Sequence, residues 1–191
     1  MNMPMFRVAA CILGFITSPA MAAATYTLDA GHTAVMYSLN HLGFSTSHGI
    51  FRDVAGWLVL DEETPAASRL EVTVKTVGID TFDEGRDKAT RGEQFLNVKS
   101  YPEMRFVSTG VERTGETTAR VTGALTLHGV TRPLTLNVTL VKIGKHPITG
   151  AQRVGFSATG VLKRSEFGIT GFLPAVGDDV TITIDSEFGA S

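Results

Sequence analysis

The sequence predicts an all-β protein of about eight antiparallel strands. Three observations predict it: segments of period two recur along the chain, short turn-forming breaks separate them, and only two stretches lack alternation. The clearest segment is residues 125–138, LTLHGVTRPLTLNV, which reads as a hairpin with one oily face. Val121, Leu125 and Leu127 precede its turn on that face, and Leu134, Leu136, Val138 and Leu140 follow it. The face has to be covered by a second sheet, by the same sheet curled into a barrel, or by a bound apolar molecule. An eight-stranded antiparallel sheet can close on itself and leave room for side chains or one small ligand. Periodicity alone leaves a two-sheet sandwich open as well.

The chain begins with a segment unlike the rest. Arg7 is its one charged side chain, Val8 to Ile16 is apolar, Pro19 follows, and Ala20-Met21-Ala22 forms an A-x-A cleavage signal. Residues 1–22 therefore read as a secretory signal peptide, and 23–191 as the exported, periplasmic domain. The apolar run is too short for a spanning helix of about 20 residues. The single cysteine, Cys11, falls inside this leader; the segment loosely imitates a lipoprotein processing site, but too few apolar residues precede it. The mature chain would then carry no thiol, so disulfides and cysteine chemistry are excluded for it.

The strands follow in order. Val35, Tyr37, Leu39 and His41 share one face of the first. In the second, roughly 50–61, Phe51 cannot share a face with Val54, Gly56, Leu58 and Leu60 on strict alternation, so a bulge is expected near Arg52-Asp53. Leu70, Val72 and Val74 mark the third. Segments 104–113, 118–128, 132–143 and 152–162 supply four more, and Val180, Ile182 and Ile184 alternate with threonines in the last. Turns are marked by Thr64-Pro65, Thr114-Gly115-Glu116, Pro147 to Gly150 and Gly177-Asp178-Asp179. The short connections imply antiparallel neighbours. Residues 81–99 are polar, lack alternation and predict a short helix or two; Arg164 to Gly177 is the second break. Phe156, Ala158, Gly160 and Leu162 face inward together, and the small ones leave room for a cavity.

Composition narrows the function classes. Of 191 residues 43% are hydrophobic, 19% charged and 8% aromatic, as in an ordinary globular protein. The formal charge of −2, with no basic run, argues against nucleic acid. The five histidines show no metal-ligand spacing, there is no G-x-S-x-G elbow, and no phosphate-cradling loop opens a helix. No metal and no cofactor is expected, and the chain does not read as an enzyme, although catalytic groups can meet in space without being neighbours in sequence.

Each candidate residue has a structural and a functional reading. His41 is either a buried histidine satisfied by a carbonyl or carboxylate, or a polar contact to a ligand inside the barrel. Arg86 and Asp87 either form part of a structural salt bridge that pins the 81–99 segment, or Arg86 offers bidentate donors to a phosphate or carbonyl head at the barrel mouth. Arg164, where the second break starts, poses the same choice. His128, Thr131 and Arg132 sit at the tight hairpin, with Gly129 supplying backbone freedom. His32 is read as a local hydrogen-bonding residue and His146 as a loop residue. The rings of Tyr37, Phe44, Phe51, Phe95, Phe106, Phe156 and Phe167 are core, and in an open barrel they become cavity lining.

Four motifs, in order, carry a family resemblance: Asp29-x-x-His32 with Asn40-His41-Leu42-Gly43-Phe44; Gly49-x-Phe51 with Gly56-x-Leu58; Gly123-x-Leu125-Thr126-x-His128-Gly129-Val130-Thr131; and Arg164-Ser165-x-Phe167-Gly168. From about Tyr26 to Phe188 the chain resembles the YceI-like family of bacterial exported lipid-binding proteins. The resemblance implies a lipocalin-like antiparallel β-barrel whose apolar cavity holds a polyisoprenoid or other long amphiphile. The chain departs from the family pattern after Arg86-Asp87, where x-His-Leu is common and Lys88-Ala89-Thr90 stands here. That difference bears on the ligand if the histidine meets a head group.

The expectation is therefore non-covalent binding, storage or transport of a long-chain lipid. Its site would draw on Val35, Tyr37, Leu39, His41, Phe44, Phe51, Arg86, Phe95, Phe106, Leu125, Leu136, Phe156, Arg164 and Phe167. Burying methylenes yields roughly 0.8 kcal/mol each against association costs of roughly 4–15 kcal/mol, so a tail of ten or more carbons is needed. Two other readings stand beside it: an enzyme acting on such a lipid through His41 and nearby arginines and carboxylates, and a solid barrel serving as a stress-related interaction module. The sequence leaves a homodimer and transient contact with a membrane or membrane protein open.

Overall fold

A computed structural model describes residues 23–191; the leader and its cleavage signal lie outside the described residues. Eleven strands and one α-helix follow in the order β1 (Ala24–Leu28), β2 (Ala34–His41), β3 (Ser45–Phe51), β4 (Val54–Leu60), β5 (Arg69–Lys75), β6 (Ile79–Asp80), α1 (Glu84–Arg91), β7 (Glu103–Arg113), β8 (Thr118–Leu127), β9 (Val130–Lys145), β10 (Gln152–Lys163) and β11 (Asp179–Ala190). All pairings between strands are antiparallel. Eight strands form a closed ring, β1-β4-β5-β7-β8-β9-β10-β11 and back to β1. Closure removes the sheet edges and decides against the sandwich.

The ring closes where β1 pairs with the end of β11, Tyr26 opposite Ala190 and Leu28 opposite Phe188. The other half of β11 pairs with β2, Ile182 opposite Tyr37 and Ile184 opposite Val35. β2 and β3 form a hairpin that extends the wall, and β6 adds two residues to it. The strand expected over 50–61 is therefore two strands. Instead of a bulge, the chain changes partners at Arg52-Asp53: Phe51 faces Val35 and Ile79, whereas Val54 faces Val74. The corner stays hydrogen-bonded, with Arg52 N donating to Gly78 O and Lys75 N to Asp53 O. True register shifts occur at Ser108/Gly110 and at Gly155/Phe156, where an extra residue bends the strand.

The β8–β9 hairpin is the one read from sequence. His128 and Gly129 both have positive φ, 52° and 74°, the two-residue turn that matches strand twist. The His128 ring lies 4.3 Å from that of Tyr101, and its Nδ1 is 3.1 Å from the Phe167 carbonyl oxygen. His128 is thus part of the scaffold.

One helix occupies the 81–99 segment. Asp83 caps it, its carboxylate accepting from Arg86 N at 2.8 Å; Glu84 and Asp87 lie in the first turn and Lys88 and Arg91 in the last, as the helix dipole favours. The helix buries no residue, so polar bonds hold it. Asp87 accepts from Thr81 N and Oγ1, both at 2.6 Å, and Arg91 donates to the carbonyls of Val77 and Ile79.

Candidate functional site

The inward faces of the ring do not meet. They enclose a cavity of about 950 Å³. An apolar void of about 150 Å³ holds one benzene, so a chain of ten carbons has ample room and the solid-barrel reading falls. The whole oily face of the β8–β9 hairpin, Val121 through Leu140, lines it. So do Phe156, Ala158 and Leu162 of β10 and Val180, Ile182 and Ile184 of β11.

Glycines help keep this interior wide. A Cβ at Gly49 would come within 2.4 Å of the Tyr37 ring, and one at Gly123 within 2.3 Å of the Phe106 ring. Each aromatic ring occupies the space over a glycine of the neighbouring strand that any side chain there would fill. This explains two of the motif glycines as wall features.

Of the residues expected at the site, Val35, Tyr37, Leu39, His41, Phe51, Arg86, Phe95, Phe106, Leu125, Leu136, Phe156 and Arg164 line the cavity. Phe44 and Phe167 are corrections. Phe44 sits at the tip of the β2–β3 turn and is 91% exposed, because the hairpin ends before its ring can turn inward; Phe167 is 1% exposed, packed in the wall beneath the turn that follows β10. His41 is exposed at the end of β2, so the buried-histidine reading is corrected too. Among the described residues no hydrogen bond orients its ring.

The two arginines divide. Arg164 is 3% exposed and committed to the backbone: it donates to the carbonyls of Gly177, Ile169, Gly171 and Val176 at 2.8–2.9 Å, and its guanidinium lies 5.7 Å from the centre of the Phe95 ring. It pins the 164–178 loop. The ion pair of the 81–99 segment is made by Asp87 with Arg91, 3.5 Å apart, and Arg86 takes no part in it, because consecutive residues of a helix point away from each other. Among the described residues the Arg86 guanidinium donates one hydrogen bond, to the Thr81 carbonyl.

Residues not foreseen also line the site. Ala89 and Thr90 join Arg86 there; they are three and four positions on, the spacing of one helical face, so the signal was present. Phe172 lies 6.0 Å from Phe95 in a stacked pair, and Phe188 continues the alternation of β11 beyond Ile184. Burial of the Tyr37 phenol pushes its pKa up, partly offset by Arg86 and Thr90 beside it.

The Asp29-x-x-His32 motif lies outside the cavity wall. Asp29 accepts from Gly31 N, and His32 Nδ1 lies 3.1 Å from its Oδ2. Asp29, His32 and Glu187 cluster as metal ligands would, but the Arg153 guanidinium already bonds Asp29 and stands 3.9 Å from Glu187. Arg153, with His32 behind it, holds the Asp29 carboxyl down at about 2.

Comparison with known proteins places this barrel. The model of the YceI-like domain matches residues 26–188. The chain belongs to the YceI-like family. Curated relatives include a UPF0312 protein of Pseudomonas putida (strain W619), 46% identical over 151 residues and 78% of each chain. Another, from Enterobacter sp. (strain 638), is 39% identical over 173 residues, 90% of this chain and 89% of the relative. Among solved structures, the YceI protein of Campylobacter jejuni superposes with a TM-score of 0.69 at 28% identity, over 80% of this chain and 90% of that one. Burkholderia cenocepacia BcnA shares the fold at TM-score 0.76 and 22% identity, covering 84% and 98%. A Saccharophagus degradans domain described as polyisoprenoid-binding shares it at TM-score 0.65 and 13% identity, covering 88% and 99%. The eight-stranded YceI-like barrel expected from sequence is the fold observed.

Proposed function

We propose that the protein binds a long-chain lipid, a polyisoprenoid or another amphiphile, non-covalently in its barrel and stores or carries it in the periplasm. The observation that carries this reading is the cavity of about 950 Å³, walled by apolar side chains from every strand of the ring. It lies at the upper end of the range for ligand pockets, about 300–1,000 Å³. An apolar wall of this extent has no use for a polar metabolite, whereas each buried methylene contributes roughly 0.8 kcal/mol. Membership of the YceI-like family and a structural neighbour described as polyisoprenoid-binding support it. The leader-like residues 1–22 support export.

Leu42, Phe44, Phe82 and Phe172 are exposed at or beside the end of the cavity that Arg86 and Phe172 line. Exposed rings beside a lipid cavity suit transient contact with the membrane from which the ligand would be drawn.

Native mass spectrometry of the exported protein, followed by organic extraction, tests the proposal. A chain beginning at Ala23 that carries one prenyl or acyl compound is the expected result. A protein that is empty, and that takes up no quinone, polyprenol or fatty acid on titration, would overturn it.

A further inference from the structure

The two ends of the cavity differ in their polar groups. The carboxylates in its wall are Asp61, Glu62 and Glu116, all at the end where β4 leaves the barrel and β7 turns into β8; Arg69 and Arg113 line the same end and donate to the backbone carbonyls of its loops. The α1 end contributes Arg86, Arg164, His41, Tyr37, Ser47 and Thr90 to the wall and, among the described residues, no carboxylate.

Within that end Arg164 is committed to four backbone carbonyls. Arg86 is the cation left over. Among the described residues it has no carboxylate within 4 Å. The adjacent Asp87 is engaged elsewhere, accepting from Thr81 and pairing with Arg91 at 3.5 Å. The phenol of Tyr37, whose ring packs over Gly49, and the hydroxyl of Thr90 share the same stretch of wall. Ala89, between Arg86 and Thr90 on one helical face, offers only a methyl group and so leaves space. Arg86 is exposed, so this corner is the cavity's mouth, where a guanidinium fork and two hydroxyls form a donor-rich patch beside an apolar lumen.

We propose that this corner is a head-group site for an anionic oxygen head, a carboxylate or a phosphate monoester, on the ligand whose tail fills the barrel. The inference rests on the lipid-binding reading above. Guanidinium matches both oxyanions bidentately, and the opposite charge adds an attraction that a neutral hydroxyl lacks. At the opposite end Arg69 and Arg113 are already bonded to backbone carbonyls and stand among three carboxylates, so the favoured orientation is head beneath α1, tail toward the 61–68 and 114–117 loops.

The test uses the full protein stripped of lipid, with displacement of a neutral fluorescent probe such as N-phenylnaphthylamine. Two matched pairs are titrated: hexadecanoic acid against hexadecan-1-ol, and farnesyl phosphate against farnesol. At least one anionic member is expected to bind about tenfold tighter than its alcohol, with the gap narrowing as salt is raised. A gap confined to the first pair identifies a carboxylate, and one confined to the second a phosphate. Arg86→Gln is expected to abolish the gap and Arg86→Lys to keep part of it; a ratio taken within one variant cancels any general loss of binding. Should Arg86→Gln bind neither member, Tyr37→Phe and Thr90→Val are read the same way, and ratios unchanged from wild type in both overturn the site. Equal binding of acid and alcohol by the wild-type protein, or a gap that survives Arg86→Gln, also overturns the head-group site while lipid binding stands. Binding of no member of either pair counts against the lipid-binding reading itself.

Discussion

Asp29 shows how one side chain ties three parts of the barrel together. Its backbone N donates to Glu187 O of β11, its Oδ1 accepts from Gly31 N in the turn leading to β2, and its Oδ2 meets Arg153 of β10. Arg153 first, and His32 second, favour the charged carboxylate and hold it at about 2, below the ordinary value near 3.9. The sign follows from linkage: a group whose pKa is lower in the folded state adds stability that is whole above its unfolded pKa and is lost as pH falls toward the folded one. Asp29→Asn is therefore expected to cost on the order of 1 kcal/mol at neutral pH, the range for a part-exposed ion pair. The deficit relative to wild type should shrink between about pH 4 and pH 2. Urea unfolding at stepped pH measures it, and a deficit constant across that window would dissociate Asp29 from the pairing. The motif that carries Asp29 was visible in sequence, but Arg153 was not, because 124 residues separate the partners.

At the scale of elements, the β8–β9 hairpin was legible and the β3–β4 corner was not, and the reason is physical. A hairpin is written locally, in alternation and in a turn whose glycine takes φ +74°. A change of partner is written in residues far away, here Val74 for Val54 and Val35 for Phe51. Alternation registered the flip of faces at Arg52-Asp53 without saying whether a bulge or a corner caused it. β1 escaped because Tyr26 and Leu28 give too few periods to count as a pattern, although the ring cannot close without them. The α1 face was half legible: Arg86, Ala89 and Thr90 share it by spacing, but their meeting with Tyr37 depends on the tertiary fold. The hairpin turn also yields a graded test. A Cβ at Gly129 would approach Tyr101 Cε1 to 2.6 Å, and Tyr101 is itself backed by His128, whereas a Cβ at Gly43, with φ +76°, meets nothing within 4 Å. Gly43→Ala thus incurs backbone strain alone, about 1 kcal/mol. Gly129→Ala adds a steric clash and is expected to cost at least about 2 kcal/mol. Denaturant midpoints of the two variants decide it, and equal losses would mean that Tyr101 does not support the turn.

For the molecule as a whole, the decisive property is that a closed ring of eight strands has been kept hollow. Its wall is unevenly packed: Leu125, Leu127, Leu134 and Leu136 are buried among their neighbours, whereas Val35, Tyr37 and Leu39 of β2, which also line the void, stay half-buried. Leaving apolar side chains without neighbours forfeits dispersion contacts, and the cavity surface forgoes burial that a filled core would supply. A hollow interior is therefore a stability cost that an apolar occupant would offset, and the offset gives a prediction. Ala158 stands mid-strand in β10, opposite Val138 and Ile184, with its methyl toward the lumen. Ala158 is buried among its neighbours but borders the lumen, so the ring of Ala158→Phe has the cavity to extend into and folding is expected to survive. The ring would displace several carbons of any bound tail. Losing even two methylenes forfeits about 1.6 kcal/mol, more than tenfold in affinity. A sixteen-carbon ligand should weaken by at least that factor while a ten-carbon one, with room to stop short of the plug, changes less. Calorimetric titration of both chain lengths into wild type and variant measures it. Equal affinities for the long chain would mean that the tail does not pass Ala158, and would move the ligand out of the barrel interior.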